Sequence, residues 1–208
     1  RVEILAADVT TKDTPERAVA IARSVFGRLD CLVNNAGSGK WAPVDQTDDA
    51  MLDEVIDISL KAPFRFCREA LRVMGPGSSI INVGSTFGLL GGLDGGAYCA
   101  VKAGLIGLTQ TMAAQYGARG IRSNLVAPGV IRTDMTSGHW EFPSFQRINQ
   151  EMTPCDRDGT TEDVANAIFF LASKEGSYIN GQTLALDSGW STTKNLCHEE
   201  RVCARKPA

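Results

Sequence analysis

Short apolar runs alternate along the chain with longer segments in which apolar residues recur every three or four positions. Short runs bounded by turn residues are typical of buried strands, whereas the longer period is typical of helices. Their alternation predicts an α/β fold, in which a parallel sheet carries helices on both faces. The strands are expected at residues 2–6, 29–33, 79–85 and 121–127, and within residues 178–187.

The first two helical segments have recognisable ends. Thr14 followed by Pro15 is typical of a capped helix N-terminus, and Gly27 is typical of the end of that helix. A longer helical pattern covers residues 47–74 and is interrupted at Pro63, whose ring bends a helix or begins a new one. We therefore expect one helix before the second strand and a divided helix after it.

The C-terminal half contains an irregular stretch followed by a helix start. Residues 134–158 show no regular periodicity. Thr160 and Asp163 are spaced as in a capping box, which predicts a helix that begins there and ends near Ser173.

Composition limits the class of protein. The chain has 208 residues, 43% hydrophobic and 22% charged, which is enough for one sizeable core. We predict one domain over residues 1–191 and a polar, mobile extension over 192–208. The formal charge of -3 gives no basic footprint for nucleic acid. No apolar run reaches the ~18 residues that a membrane helix needs, so neither nucleic acid nor a membrane is expected as a partner.

Cysteine spacing bears on the compartment and on metals. The six cysteines include no C-x-x-C pair. Dispersed thiols favour a reducing compartment over a disulfide framework, so we predict a cytoplasmic location. Cys197, His198 and Cys203 match no usual zinc spacing and lie in a charged segment, so no metal is expected.

One Ser, one Tyr and one Lys carry the candidate chemistry. Residues 97–112 lack Pro and predict a helix, on which Tyr98 and Lys102 share a face because they are four positions apart. A neighbouring cation favours the phenolate, so we expect the pKa of Tyr98 to be lowered and the phenol to act as an acid or base. Ser85, at the end of an apolar run, is placed to orient a carbonyl oxygen or hydroxyl. A Tyr–Lys pair alone also occurs on many solvated helix faces.

Three further segments give this pair a context. Residues 32–37 read Leu-Val-Asn-Asn-Ala-Gly, residues 127–133 read Ala-Pro-Gly-Val-Ile-Arg-Thr, and residues 178–187 resemble a last turn and strand. In this order the segments resemble the short-chain dehydrogenase/reductase family, in the single-domain branch that includes 3-oxoacyl-carrier-protein reductases. The resemblance covers residues 4–190 and implies a Rossmann-like, doubly wound parallel sheet.

The resemblance also implies roles for individual residues. Tyr98 would be the catalytic acid/base, Lys102 would lower its pKa and bond the nicotinamide ribose, and Ser85 would hold the reacting oxygen. The cofactor would be NAD or NADP, and the substrate a small-molecule carbonyl or alcohol. Asn34 would brace the central sheet. Ile131 and Thr133 have an alternative role, since a Pro-Gly turn needs caps in any case. The implied cofactor-binding positions, besides Tyr98 and Lys102, are Asp8, Val9, Asn35, Ala36, Gly37, Pro128, Gly129, Ile131 and Thr133.

The chain departs from the family pattern in its long helix. The family often has an Asn there, whose carbonyl holds a water that serves the proton relay. Alignment on Leu60 and Phe64 places Ser59 at this position. We expect a weakened relay with Ser59, or, alternatively, a serine that simply tolerates a helix bend.

A second departure concerns the cofactor phosphates. The family opens with a strand and a Gly-rich turn that binds the pyrophosphate at a helix N-terminus. No such turn precedes Arg1, and residues 2–9 match the segment after the second helix of the family fold. The glycines within 91–96 are expected to be turn residues. We therefore expect the first βαβ unit to be absent, which leaves a cofactor-free scaffold or an inactive truncated protein as alternatives. NAD cannot be distinguished from NADP.

The sequence also suggests a class of substrate and an oligomeric state. Residues 134–158 correspond to the family's variable, substrate-covering segment. Trp140, Phe142 and Phe145 in that segment suggest an apolar lid and a hydrophobic or cyclic carbonyl substrate, or else packing on the protein body or at a subunit contact. Relatives pair through the long helix and the Tyr98 helix, which implies a homodimer or homotetramer.

Overall fold

A four-stranded parallel sheet forms the centre of the molecule. The structure is a computed structural model that describes residues 1–150, 152–155 and 157–193. Its strands lie in chain order across the sheet, and every neighbouring pair is parallel. They are β1 (Cys31–Asn34), β2 (Ser79–Val83), β3 (Arg122–Pro128) and β4 (Thr183–Leu186). This arrangement confirms the predicted α/β class and the parallel sheet.

Six α-helices connect or flank the strands in the described residues. They are α1 (Thr14–Phe26), α2 (Asp49–Ile56), α3 (Ala62–Leu71), α4 (Gly96–Tyr116), α5 (Pro143–Gln150) and α6 (Thr161–Ala172). α5 lies in the stretch without regular periodicity. The predicted capping box begins α6, because Thr160 and Asp163 exchange bonds between side chain and backbone N–H at 3.3 and 2.9 Å.

The divided helix is joined by a π-helical turn. Residues Asp57–Lys61 form this turn between α2 and α3, and the Ala62 N–H donates to the Asp57 carbonyl five residues before it. Pro63 has no N–H to donate to the Ser59 carbonyl four residues before it. The interruption predicted at Pro63 is therefore present, and it extends back over the turn that contains Ser59.

Side chains alternate between the two faces of the sheet. Ile80 packs with α1, α3 and α4 on one face, and Leu125 packs with α4 on the same face. Ile81 and Val126 point to the opposite face and pack against Leu171 of α6. This alternation, with a period of two residues, buries the sheet between helices on both faces, as the sequence predicts.

Two local predictions are wrong. Residues 2–6 do not form a strand, and Val2 and Ile4 are each 84% exposed. A strand needs a hydrogen-bonded neighbour, and no strand of the described residues pairs with this segment. Thr14 is not the cap of α1, because Asp13 holds that position and the Thr14 hydroxyl donates instead to the Asp8 carbonyl at 2.8 Å.

The described residues contain neither a membrane-spanning helix nor a cluster of metal ligands. No helix among the described residues has the length and apolar character to cross a membrane. Within those residues, no group of three or more His, Cys, Asp or Glu side chains is placed to hold a metal. The expectations for Cys197, His198 and Cys203, and for the extension beyond residue 193, lie outside the described residues.

Candidate active site

Ser85 is fixed at the carboxyl end of β2. It is buried and extended, and its hydroxyl oxygen accepts a hydrogen bond from the Phe87 N–H at 3.2 Å. The short turn that follows packs directly on α4. A Cβ on Gly88 would lie 2.8 Å from the Lys102 carbonyl carbon. Glycine at this position therefore allows the Ser85 turn to approach the helix that carries Tyr98 and Lys102.

Tyr98 lies in the first turn of α4, next to Ser85. Burial raises the pKa of its phenol, a hydrogen bond with Ser85 opposes that shift, and the nearby Cys99 adds to it. The expectation that the pKa of Tyr98 is lowered is wrong, because burial raises it. The Lys102 ammonium lies 5.6 Å from the centre of the Tyr98 ring, and the desolvation of the phenol outweighs the favourable interactions.

Lys102 is buried beneath Tyr98. Its side chain is 5% exposed, and its ammonium donates to the Val83 carbonyl at 3.0 Å. Burial lowers the pKa of Lys102 to about 8. An ammonium carries three N–H donors, so this group retains donors for a further partner after the Val83 bond is made.

Gly37 and Ser59 lie close to the Lys102 ammonium. A Cβ on Gly37 would lie 3.6 Å from the Lys102 ammonium and 3.9 Å from the Ser59 hydroxyl. Ser59 is fully buried, and its hydroxyl accepts a hydrogen bond from the Ser38 N–H at 3.2 Å. The π-helical turn therefore places Ser59 beside the loop that follows β1, next to the lysine.

A buried polar network supports the strands beneath the site. The Asn34 amide donates to the Asn82 carbonyl oxygen at 2.8 Å and to the Cys67 sulfur at 3.2 Å. The Asn82 amide in turn donates to the Thr109 hydroxyl at 2.8 Å. The predicted bracing role of Asn34 is confirmed, because this network joins β1, β2, α3 and α4.

The predicted adenosine-side residues lie near one another beside β1. Val9, Asn35 and Ala36 line one cavity of about 110 Å³. Asp8 is adjacent, and its carboxylate accepts from the Thr10 N–H and hydroxyl, both at 2.8 Å. These bonds lower the pKa of the Asp8 carboxyl.

The predicted nicotinamide-side residues follow β3. Pro128 ends this strand, and the Gly129 N–H donates to the Leu186 carbonyl at 3.0 Å. Ile131 is buried, and its carbonyl accepts from the Thr136 hydroxyl at 2.8 Å. Thr133 is exposed, and its N–H donates to that same hydroxyl at 3.0 Å. These residues and Ser85 therefore share the carboxyl edge of the sheet, where open α/β folds bind ligands.

Sequence reasoning missed an aromatic group at this edge. Trp41 lies against Tyr98 with ring centroids 5.2 Å apart, and against Phe87 at 5.1 Å. Phe87 in turn contacts Trp190 at 5.5 Å. The only signal in the sequence was the position of Trp41 soon after the residue 32–37 motif and of Phe87 two residues after Ser85.

The variable segment packs largely within itself. Trp140 stacks under the Arg132 guanidinium at 4.0 Å and contacts Phe145 at 5.2 Å. Phe142 and Phe145 both contact the His139 ring, at 6.3 and 5.6 Å. The segment also reaches the loop after β1, as shown by the Met135 sulfur, which lies 2.9 Å from where a Cβ on Gly39 would be.

Comparison with known proteins identifies the family. The family model described as enoyl-(acyl carrier protein) reductase matches residues 1–191. The chain belongs to the short-chain dehydrogenase/reductase family, a family of oxidoreductases. The resemblance of the sequence motifs to this family is therefore confirmed.

Three relatives show the range of the family around this chain. It is 35% identical to 3beta-hydroxysteroid dehydrogenase 2 of Eggerthella lenta, over 92% of this chain and 76% of that protein. It is 36% identical to (+)-borneol dehydrogenase 2 of Salvia officinalis, over 90% and 71%. It is 43% identical to the 3-oxoacyl-[acyl-carrier-protein] reductase of Rickettsia bellii, over 78% and 67%. The chain spans 34% of a longer dehydrogenase/reductase of Sinorhizobium fredii.

A solved relative contains the expected type of cofactor. The short-chain dehydrogenase of Burkholderia cenocepacia, in complex with NADP, is 31% identical to this chain, with a TM-score of 0.82 over 89% of this chain and 75% of that one. The residues of the present chain fit such a group. Gly37 has no side chain, and even an added Cβ would only reach van der Waals contact with the Lys102 ammonium, at 3.6 Å. That ammonium has donors beyond its bond to Val83.

Proposed function

We propose that this protein interconverts a small-molecule carbonyl and a secondary alcohol by hydride transfer, with NAD or NADP as cofactor. One observation carries the proposal: Ser85 and Tyr98 lie next to each other, and the buried Lys102 lies beneath the Tyr98 ring. The group lies at the carboxyl edge of the parallel sheet. The bound cofactor supplies the hydride for reduction and accepts it in oxidation.

The side chains of the chain handle the proton. In reduction, the Tyr98 hydroxyl donates its proton to the developing alkoxide, and the Ser85 hydroxyl donates a hydrogen bond to the same oxygen. Lys102 supplies positive charge close to the phenolate that forms. In oxidation, Tyr98 takes the proton of the alcohol instead. The raised pKa of Tyr98 keeps the phenol protonated near neutral pH, which favours its role as an acid.

Two groups of residues would hold the cofactor. Asp8, Val9, Asn35, Ala36 and Gly37 are proposed for its adenosine side. Pro128, Gly129, Ile131 and Thr133 are proposed for its nicotinamide side, together with Lys102. Ser59 is proposed to hold the loop after β1 and to contribute to the proton relay.

We also propose that the protein assembles as a homodimer or homotetramer through α3 and α4. A groove of about 610 Å³ runs between these helices. Its lining includes Phe64, Leu108, Met112 and Tyr116, and also three arginines, Arg68, Arg72 and Arg119. Phe64 is exposed on it, and a second copy would bury the apolar part of this surface. Sedimentation of a Phe64→Glu variant tests this: a shift to the monomer supports it, and an unchanged assembly contradicts it.

The cysteines bear on the compartment, and the relatives bear on the substrate. We propose a cytoplasmic location, which the thiols of Cys31, Cys67 and Cys99, free in the structure, support. Two of the relatives named above are dehydrogenases of cyclic alcohols and one acts on 3-oxoacyl groups. These relatives therefore support two classes of substrate, cyclic alcohols and 3-oxoacyl groups.

Replacement of Tyr98 by Phe tests the proposed chemistry. The purified protein and its Tyr98→Phe variant would be assayed with NADH and NADPH against a set of ketones. We expect a loss in kcat of about 10² to 10⁴, the usual contribution of a general acid, with cofactor Kd within about twofold. Tyr178→Phe is the matched control, since Tyr178 is fully exposed and lies outside both the proposed site and the groove.

The alternatives give different results. Full turnover by Tyr98→Phe would contradict the assignment of the acid/base. Failure of the unaltered protein to bind either cofactor in a titration would support the scaffold or inactive alternatives. Cofactor binding without reduction of any ketone would contradict the proposed reaction while leaving the binding residues in place.

A further inference from the structure

Trp41 lies at one end of an aromatic row, next to the reacting phenol. Its ring is tilted by 33° against the Tyr98 ring, with centroids 5.2 Å apart. Its edge meets Phe87 at 5.1 Å and 79°, and Phe87 meets Trp190 at 5.5 Å. We call Trp41, Phe87 and Trp190 the aromatic row. Trp41 remains 38% exposed, so these contacts leave part of its surface open.

The neighbouring loop is shaped around the Trp41 indole. A Cβ on Gly92 would lie 2.9 Å from the Trp41 Cζ3 atom, and a Cβ on Gly95 would lie 2.5 Å from it. Real Cβ atoms do not approach other atoms so closely, because such a contact is strongly repulsive. Both glycines therefore serve to admit the indole at this place. They are also turn residues, as expected, because the Gly95 N–H donates to the Gly92 carbonyl at 3.1 Å.

The ring contacts of Trp41 in the described residues are with aromatic side chains. The side chains in ring contact with it are Phe87 and Tyr98, and the loop beside it exposes Leu89, Leu90 and Leu93. Aromatic faces bind rings and apolar surfaces well, whereas they offer no partner for a carboxylate or phosphate. The open surface of Trp41 is therefore suited to an uncharged, apolar group.

We propose that Trp41 is the wall of a substrate subsite that takes a ring, so that the substrate is a cyclic, mainly apolar ketone or secondary alcohol. Because the Trp41 and Tyr98 rings are in contact, with centroids 5.2 Å apart, a ring bound against the open part of Trp41 would lie close to the phenol. This inference rests on the proposed function, because it takes Tyr98 as the acid/base. It places the determinant of specificity in the aromatic row, whereas Trp140 and Phe145 pack together within the variable segment.

Tryptophan fluorescence tests the subsite without turnover. The purified protein, without cofactor, would be titrated with cyclohexanone and with 2-hexanone, two six-carbon ketones whose carbonyls quench by collision to a similar extent. We expect saturable quenching by cyclohexanone alone. Trp41→Leu, which removes the flat face, should abolish this saturable component, whereas Trp140→Phe should retain it. Equal, non-saturable quenching by the two ketones, or a saturable component that survives Trp41→Leu, would overturn the proposal.

Kinetics separates this proposal from the proposed reaction. Trp41→Leu keeps an apolar side chain but removes the flat face, so kcat/KM for cyclohexanone should fall about tenfold, with most of the loss in KM. For 2-hexanone it should change less than threefold, and Trp41→Phe should restore most of the cyclohexanone value. A wild-type enzyme that reduces both ketones equally would overturn the subsite and leave the reaction standing. Saturable quenching by cyclohexanone without reduction of either ketone would support the subsite and contradict the proposed reaction.

Discussion

The ammonium of Lys102 lies 3.0 Å from the Val83 carbonyl oxygen, and this hydrogen bond joins α4 to the end of the strand that leads to Ser85. It is made inside the protein, where Lys102 is almost completely removed from water. Burial disfavours the charged form, and the pKa of Lys102 falls from 10.5 to about 8. Lys102 thus supports the site through this bond, while the burial of its charge lowers the free energy of unfolding near neutral pH.

The stability of the protein should therefore depend on pH through Lys102. Between pH 8 and 10.5 the folded state binds fewer protons at Lys102 than the unfolded state does, so the free energy of unfolding rises with pH in this window. The rise amounts to about 3 kcal/mol in total, given about 1.4 kcal/mol for each pKa unit. Lys102→Met removes this dependence, because Met does not titrate.

Denaturant unfolding at pH 7, 8, 9 and 10 would measure the effect. At pH 7 the free energy of unfolding of the Met variant should be close to or above that of the unaltered protein. As the pH rises, the free energy of unfolding of the unaltered protein should increase relative to that of the variant. Tyr98 contributes only at the upper end of this range, because its pKa in the folded protein is raised and that of an unfolded tyrosine is about 10. A difference that stays constant from pH 7 to 10 would show that Lys102 titrates normally in the folded protein.

The buried network around Asn82 should contribute substantially to stability. Asn82 accepts from Asn34 and donates to Thr109, and its side chain is fully buried. Asn82→Ala leaves both partners buried with a missing bond, so we expect a loss of about 3 kcal/mol in the free energy of unfolding. Gln115→Ala, on the exposed side of α4, should change it by less than about 0.5 kcal/mol. A loss below about 1 kcal/mol for Asn82→Ala would indicate that water replaces the missing amide.

Local spacing accounts for the features that the sequence predicted well. Tyr98 and Lys102 are four positions apart on one helix, so their proximity requires only that the helix form. The strands β2 and β3 were predicted nearly to their ends, because a strand buried on both faces is apolar throughout. The capping box of α6 is likewise a local pattern, complete within four residues.

Features that depend on distant residues were not predictable in this way. Residues 2–6 have the composition of a strand, but strand formation depends on a neighbour, which no local pattern can supply. The pKa of Tyr98 depends on burial under Trp41 and the surrounding loop, so a pairwise argument from Lys102 gave the wrong direction. Trp41 itself joins the site through two glycines that are more than fifty positions away.

Arg122 should stabilise the end of α6. Its guanidinium donates to the carbonyls of Leu171, Ala172 and Ser173 at 2.6, 3.3 and 3.2 Å. These carbonyls lie at the C-terminal end of the helix, where they lack helical partners and where positive charge is favoured. We expect Arg122→Ala to lower the free energy of unfolding by about 2 kcal/mol.

Hydrogen exchange would locate that effect. The amides in the last turn of α6 should exchange faster in Arg122→Ala than in the unaltered protein, while those of α1 should not change. Arg122→Lys should recover part of the loss, because an ammonium can reach fewer of these carbonyls than a planar guanidinium. Unchanged protection at the end of α6 would contradict the capping role.

A matched pair of glycine variants would measure how closely the loop before α4 fits Trp41. A Cβ on Gly95 would lie 2.5 Å from the indole, whereas a Cβ on Gly91 would meet nothing within 4 Å. Gly95 has a φ of -101°, which alanine adopts without strain, so the substitution adds only the contact with the indole and a second one with the Cys99 sulfur, at 3.1 Å. We expect Gly95→Ala to lower the free energy of unfolding by roughly 1–3 kcal/mol and to shift the tryptophan emission, because the indole must move. Gly91→Ala should leave the emission unchanged and alter stability by less than about 1 kcal/mol. Identical emission spectra for the two variants would mean that the loop moves away from the indole, and that Trp41 is held in place by Tyr98 and Phe87 alone.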